Sequence, residues 1–181
     1  MQCSDVSKIK LKDNIIMDAI EALKTRRSIR KYKNTKIDKS ILEDIVECGR
    51  RSATAMNTQP WEFVIVTDAD ILENIAKSMN HSHFVGKSAA SVFVFCKDYD
   101  YYLEDGSAAL MNIMNAIHAY GLSGCWVAGE KQEFAKPISE ILGAPDHQKL
   151  VGIATVGYAD EEPEIQEKRS LAEVLHWEKF K

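Results

Sequence analysis

Ala55-Met56-Asn57-Thr58-Gln59-Pro60-Trp61-Glu62-Phe63-Val64-Ile65-Val66 is a polar turn that runs directly into an apolar stretch. Residues 62–67 are short and rich in β-branched side chains, which predicts a strand. In the turn, Asn57 and Gln59 each carry a donor and an acceptor, a pattern suited to the amide edge of a heterocycle. Turn chemistry ahead of Pro60 is the plainer reading of the same pair. About one helix upstream, Arg26-Arg27-Ser28-Ile29-Arg30 packs three guanidinium groups and a hydroxyl into five residues. Guanidinium forks match phosphate oxygens. The plainer alternative is a solvated basic helix end that complements the helix dipole. Together the two segments describe a site for a phosphorylated heterocycle.

Working outward, Asn14 is a good N-cap for a helix carrying Ile15, Ile16, Ala19, Ile20 and Leu23, which delivers the arginines at its end. Asp38 heads a second helix ending near Gly49, and Asp68 a third reaching about Met79. Residues 80–88 read as loop and 90–96 as a buried strand. The longest helix is predicted over residues 103–120, closed by Gly121. A strand at 123–128 leads into Gly129-Glu130, a helix over 133–142 stops at Gly143-Ala144-Pro145, and the last strand covers 149–158. There is no G-x-G-x-x-G turn, P-loop or internal repeat, which leaves a layered α+β domain around a central sheet. Residues 1–13 read as a flexible arm and 14–181 as one domain. The tail from 160 carries Leu171, Val174, Leu175, Trp177 and Phe180, which need a surface to cover them; a second subunit is the natural candidate.

Bulk properties exclude several classes. A net charge of −4 gives no general attraction to nucleic acid or anionic membrane. No run approaches the roughly 18 apolar residues of a membrane span. The first residues lack a signal-peptide core, so a cytoplasmic home is expected. Cys3, Cys48, Cys96 and Cys125 have no ligand spacing, and His81 and His83 have no carboxylate or thiol beside them, so no metal is expected. Trp61 reads as a core anchor, and Trp126 reads equally as a core residue or as the border of a substrate pocket.

The order R-R-S-I-R-K-Y, then A-M-N-T-Q-P-W-E-F-V-I-V, then Asp105-Gly106-Ser107-Ala108-Ala109, then Gly121-Leu122-x-Gly-Cys-Trp, then Lys168-Arg169-Ser170-Leu171 resembles the FMN-dependent nitroreductase family. The likeness runs from about Met17 to Trp177. It implies an α+β sandwich with a central, mainly antiparallel sheet flanked by helices. It also implies an intertwined homodimer in which the 160–181 tail embraces the partner. FMN, the phosphorylated heterocycle that fits best, would sit at the interface. Arg26, Arg27, Ser28 and Arg30 would hold its phosphate and ribityl chain, joined by Lys168 and Arg169. Thr54, Ala55, Met56, Asn57 and Gln59 match a loop that reaches the flavin from the partner. Trp126, Val127, Ala128 and Gly129 match a segment whose backbone faces the flavin N5 edge, and Lys87 is a candidate for the pyrimidine edge. Two departures stand out. Arg51-Ser52-Ala53-Thr54 replaces the Ala-Pro-Ser of many members, leaving Thr54 as the hydroxyl, and Gly129-Glu130 reverses a Glu-Gly order. The implied activity is ping-pong transfer of two electrons from NAD(P)H through flavin N5 to a nitroaromatic, quinone or similar small acceptor, with no obligatory catalytic side chain. A non-catalytic FMN-storage or redox-sensing protein is the alternative.

Overall fold

The computed structural model describes residues 17–180. The arm at 1–13 and the Asn14 cap lie outside the described residues. Within them the first helix, α1, spans Ala19–Thr25, and Asp18 caps it by accepting the Ile20 and Glu21 N–H groups at 2.9 and 3.3 Å. Helix α2 is Lys39–Arg50 and α3 Ala69–Lys77. Asp68 caps α3 as predicted, through the Asp70 and Ile71 N–H groups. Asp38 stands at the N-cap of α2, but its side chain makes no capping hydrogen bond. The expected loop at 80–88 contains a short 3-10 turn, His83–Lys87.

Strands β1 (Trp61–Val66), β2 (Ala90–Lys97), β3 (Trp126–Ala128) and β4 (Gln148–Val156) form one antiparallel sheet in the order β1-β2-β4-β3. Between them run α4 (Tyr102–Ala119) and α5 (Ala135–Ile141), and α6 (Leu171–Val174) lies in the tail. Alternation along β2 splits the core into two layers. Val92, Val94 and Cys96 face α2 and α4, where Ile45, Leu110, Ile113 and Met114 are buried. Phe93 and Phe95 face the opposite layer with Leu72 and Ile75 of α3 and Ile138 of α5. The result is an α+β sandwich. Helix α4 lies directly on the sheet at Gly106, where a Cβ would come within 2.6 Å of Val151 and 2.9 Å of Cys96 Sγ. Burial and the nearby Asp105 push the Cys96 thiol up to about 12. Gly121 ends α4 at φ +69°, as a C′ glycine should.

β3 is shorter than the predicted 123–128 because its leading residues are diverted into separate contacts. Ser123 pairs with Gly157 and Gly124 with Ser28 as isolated bridges. The tail residues Ile165, Leu171, Trp177 and Phe180 are 69–88% exposed in the single chain.

Candidate functional site

The arginine cluster begins where α1 ends. Arg26 is the C-cap residue, and its N–H donates to Ala22 O at 3.0 Å. Ile29 is buried and its N–H donates to the Gly124 carbonyl at 3.0 Å, which stitches the segment to the sheet edge ahead of β3. Only glycine fits at 124, because a Cβ there would fall on the Thr155 carbonyl oxygen. Tyr32 braces the segment from below. Its hydroxyl donates to the Ile29 carbonyl and meets Thr155 Oγ1 at 2.6 Å, while Thr155 Oγ1 accepts the Cys125 N–H at 2.9 Å. Burial raises the Tyr32 hydroxyl well above its ordinary range, so it stays a proton donor.

Arg26, Arg27, Ser28, Arg30 and Lys168 line one small cavity of about 140 Å³, with Glu164 and Gln166 from the tail. Thus residues some 140 positions apart in the chain are brought to one spot. The arginines are not equivalent. Arg27 already donates to the Lys24 and Arg26 carbonyls at 3.1 and 2.8 Å. Arg30 lies 5.9 Å over the Phe84 ring and lines both this cavity and a neighbour of about 450 Å³. The Arg30 and Lys31 N–H groups donate to Glu161 Oε1 at 2.7 and 3.1 Å, and these bonds hold the Glu161 carboxyl below its usual range. The local field is positive enough to register on a neighbour. Burial, and then Arg26 and Arg27, push His118 below its ordinary value.

The strand edge continues the site. Cys125 O and Gly129 N–H both bond to β4, at Thr155 and Val151. In an antiparallel strand alternate residues turn their N–H and C=O to opposite sides. Trp126 and Ala128 therefore present theirs to the open edge, the side on which Gly124 receives Ile29. Four extended steps run from Gly124 to Ala128, about 13 Å. A ligand gripped by the arginines would lie along this edge. Trp126, Val127 and Ala128 also line a cavity of about 530 Å³ with Asn80, His81 and Ser82, which places the two-sided Trp126 at both core and cavity. Gly129 is packed against Leu150 and turned into the β4 ladder.

The amide loop lies elsewhere. Thr54, Ala55, Met56, Asn57 and Gln59 sit at the N-terminal end of α4. Ala55 N–H donates to Asp105 Oδ1 at 3.0 Å, and Gln59 N–H to Thr54 Oγ1 at 3.3 Å. The arginine cluster is tied to the other end of α4, where Thr25 Oγ1 meets His118 Nε2 at 2.9 Å. Thirteen helical steps take α4 from Asp105 to His118, a rise of about 20 Å. One chain therefore does not bring its two signature segments together.

Two other expected contacts are committed elsewhere. Lys87 Nζ is 3.1 Å from Glu73 Oε2 on α3. Arg169 donates to the Glu173 carbonyl at 2.9 Å within the tail and does not line the arginine cavity, whereas Lys168 does. Trp61 is buried in the core. His83 Nδ1 contacts the Ala76 carbonyl at 3.1 Å. Among the described residues no group of three or more His, Cys, Asp and Glu is arranged to hold a metal, and no helix is long and apolar enough to cross a membrane. Sequence reasoning missed Asp105, Tyr32, Thr155 and Glu161 as organisers. The acid opening α4 was the one signal available for Asp105.

A profile of the nitroreductase family matches residues 23–99 and 96–158. The chain belongs to the nitroreductase family. An Archaeoglobus fulgidus protein, provisionally named NADH dehydrogenase/NAD(P)H nitroreductase, is 28% identical over 173 residues, 90% of this chain and 99% of that one. A Vibrio harveyi NADPH-flavin oxidoreductase is 24% identical over 177 residues, 88% of this chain and 73% of that one. The structure of an FMN-dependent nitroreductase from Clostridium difficile R20291 superposes with a TM-score of 0.83 at 27% identity, covering 89% of this chain and 99% of that one. The Clostridium difficile protein thus shares the overall fold of this nitroreductase family member.

Proposed function

We propose that this protein is an NAD(P)H-dependent FMN oxidoreductase whose sites form between two copies of the chain. The observation that carries the reading is that the arginine segment bonds through Ser28 and Ile29 to Gly124, on the same strand edge that Trp126 and Ala128 leave open. The residues present fit FMN. Arg26, Ser28, Arg30 and Lys168 supply cations and a hydroxyl for the phosphate, and the outward N–H and C=O groups of Trp126 and Ala128 suit the polar rim of the ring. Bound FMN supplies the two-electron chemistry, taking hydride from NAD(P)H and returning two electrons to a nitroaromatic, quinone or similar acceptor.

The chain's part is to bind and orient. Arg30 and Lys87, the latter in an exposed pair with Glu73, are the cations that would offset negative charge at the flavin ring. Asn57 and Gln59 lie by the Asp105 end of α4 and the arginines by its His118 end, so the amides serve the site of the partner. The tail beyond Lys168 then covers its apolar side chains on that partner. Donor and acceptor alternate in the cavity beside Trp126, which gives ping-pong kinetics.

The test is to purify the protein, saturate it with FMN and add NAD(P)H without oxygen. Bleaching of the flavin band, recovery on adding nitroaromatic or quinone, and parallel double-reciprocal lines support the reading. Bound flavin that NAD(P)H does not bleach would instead favour a storage or sensing protein.

A further inference from the structure

We infer that Asp105 is the positioning residue that holds the 54–59 loop in the shape needed to complete the partner's cofactor site, a role that rests on the proposed FMN site. The loop is unusual in its backbone. Met56, Asn57 and Gln59 take φ of +52°, +56° and +49°, a region that L residues other than glycine enter at a cost. Three such residues within four positions need an external restraint. The restraint is visible underneath them.

Asp105 is only 5% exposed, on the first turn of α4, and both carboxylate oxygens are engaged by the loop and its support. Oδ1 accepts the Ala55 N–H at 3.0 Å, immediately before the first strained residue. Oδ2 accepts the Tyr99 hydroxyl. The Thr58 hydroxyl lies 3.0 Å from the Tyr99 hydroxyl, 3.0 Å from the Ala55 carbonyl and 3.4 Å from Asp105 Oδ2, so it closes the loop on the same group. Asp105 thus fixes the loop on both sides of Met56 and Asn57. Met56 in consequence projects 83% exposed, with Asn57 and Gln59 also on the surface. A buried carboxylate supporting a strained, outward-facing amide loop is an arrangement for presenting that loop to something beyond its own chain.

The geometry gives a test that a merely structural residue would not pass. In the proposed dimer each site takes its arginines from one chain and its loop from the other. Asp105→Asn keeps the volume but replaces one acceptor oxygen with a donor facing the Tyr99 hydroxyl. Its homodimer should bind FMN at least tenfold more weakly, as should the Arg26→Ala homodimer. A hybrid dimer with one D105N chain and one R26A chain should contain one doubly damaged site and one wholly wild-type site. It should therefore bind one FMN per two chains with wild-type affinity, read by flavin fluorescence titration of hybrids purified through two different tags. If D105N does not fold, Tyr99→Phe removes one of the two firm contacts and takes its place in the hybrid. Wild-type FMN affinity in the D105N homodimer, or a hybrid with no wild-type site, would overturn the role of Asp105. A wild-type protein that takes up no FMN at all would instead overturn the cofactor assignment, and this role with it.

Discussion

Arg26→Ala is the sharpest probe of the proposed phosphate grip, because the structure supplies its own control in Arg27. Both line the same cavity of about 140 Å³ and both are half-buried. Arg27, however, already donates to the Lys24 and Arg26 carbonyls, while Arg30 is drawn over Phe84. A hydrogen bond to a charged group contributes about 1.5–3 kcal/mol. At about 1.4 kcal/mol per tenfold, Arg26→Ala should raise the FMN dissociation constant about 10- to 150-fold. The lower end applies at higher salt, since a half-buried pair is partly screened when the Debye length shrinks to roughly 10 Å at 0.1 M. Arg27→Ala should change the constant by less than about threefold, because its bonds stay within the helix end. The assay is quenching of FMN fluorescence on titration with protein at two salt concentrations. An Arg26→Ala constant within twofold of wild type, or an Arg27→Ala loss as large as that of Arg26→Ala, would refute the reasoning.

Three further outcomes are expected. Ending the chain after Asp160 removes Glu161, Lys168 and the exposed tail residues, so light scattering should show loss of the proposed dimer, and the protein should lose its flavin. Glu161 has a folded-state pKa depressed below 4.5 by the Arg30 and Lys31 N–H groups. Its contribution is therefore complete above about 4.5 and fades as pH falls through the lower folded value. The gap in melting temperature between wild type and Glu161→Gln should be flat above about pH 5 and close below it. Gly106→Ala places a methyl within 2.6 Å of Val151 and 2.9 Å of Cys96 Sγ. Overpacking of this kind costs about 1–3 kcal/mol, which is a fall of roughly 2–12 °C in the melting temperature of a chain this size, read by circular dichroism; an unchanged melt would show that α4 can lift away freely.

The parts that were legible in the sequence are those set by near neighbours. β-branched and aromatic runs marked β1, β2 and β4, and a helical period with Gly121 behind it marked α4. The order of the motifs was enough to resemble a family, and with it a sandwich. What was not legible depends on which chain segments meet. Asp38 is a good capping residue by type, yet its side chain makes no cap, whereas Asp18 caps α1. Lys87, named for the pyrimidine edge, is set beside Glu73 by the fold. Arg169 stands next to Lys168 in sequence but turns back into the tail. Asp105 reads as a helix-start acid. Its partners, Ala55 and Thr58, lie 50 and 47 positions away, too far for any local pattern to reveal.

The separation of the two signature segments along α4 also constrains how a complete site can be assembled. If one site needs the arginine end of one chain and the amide-loop end of another, the first chain is left with an unused loop and the second with unused arginines. A two-fold axis resolves this at once, because the second chain's loop meets the first chain's arginines by the same contact that the first makes with the second. The count then closes at two chains and two sites. Any other rotation leaves free ends and a growing fibre or a larger ring. The exposed tail fits the closed arrangement. It starts at the arginine cavity with Glu164, Gln166 and Lys168, and then carries Leu171, Trp177 and Phe180 outward, away from its own core. A segment anchored at the site and apolar beyond it can fasten the neighbour that completes that site, so that cofactor binding and association become one equilibrium. FMN should then stabilise the proposed dimer by mass action, and dilution of the protein should loosen its hold on FMN by the same linkage.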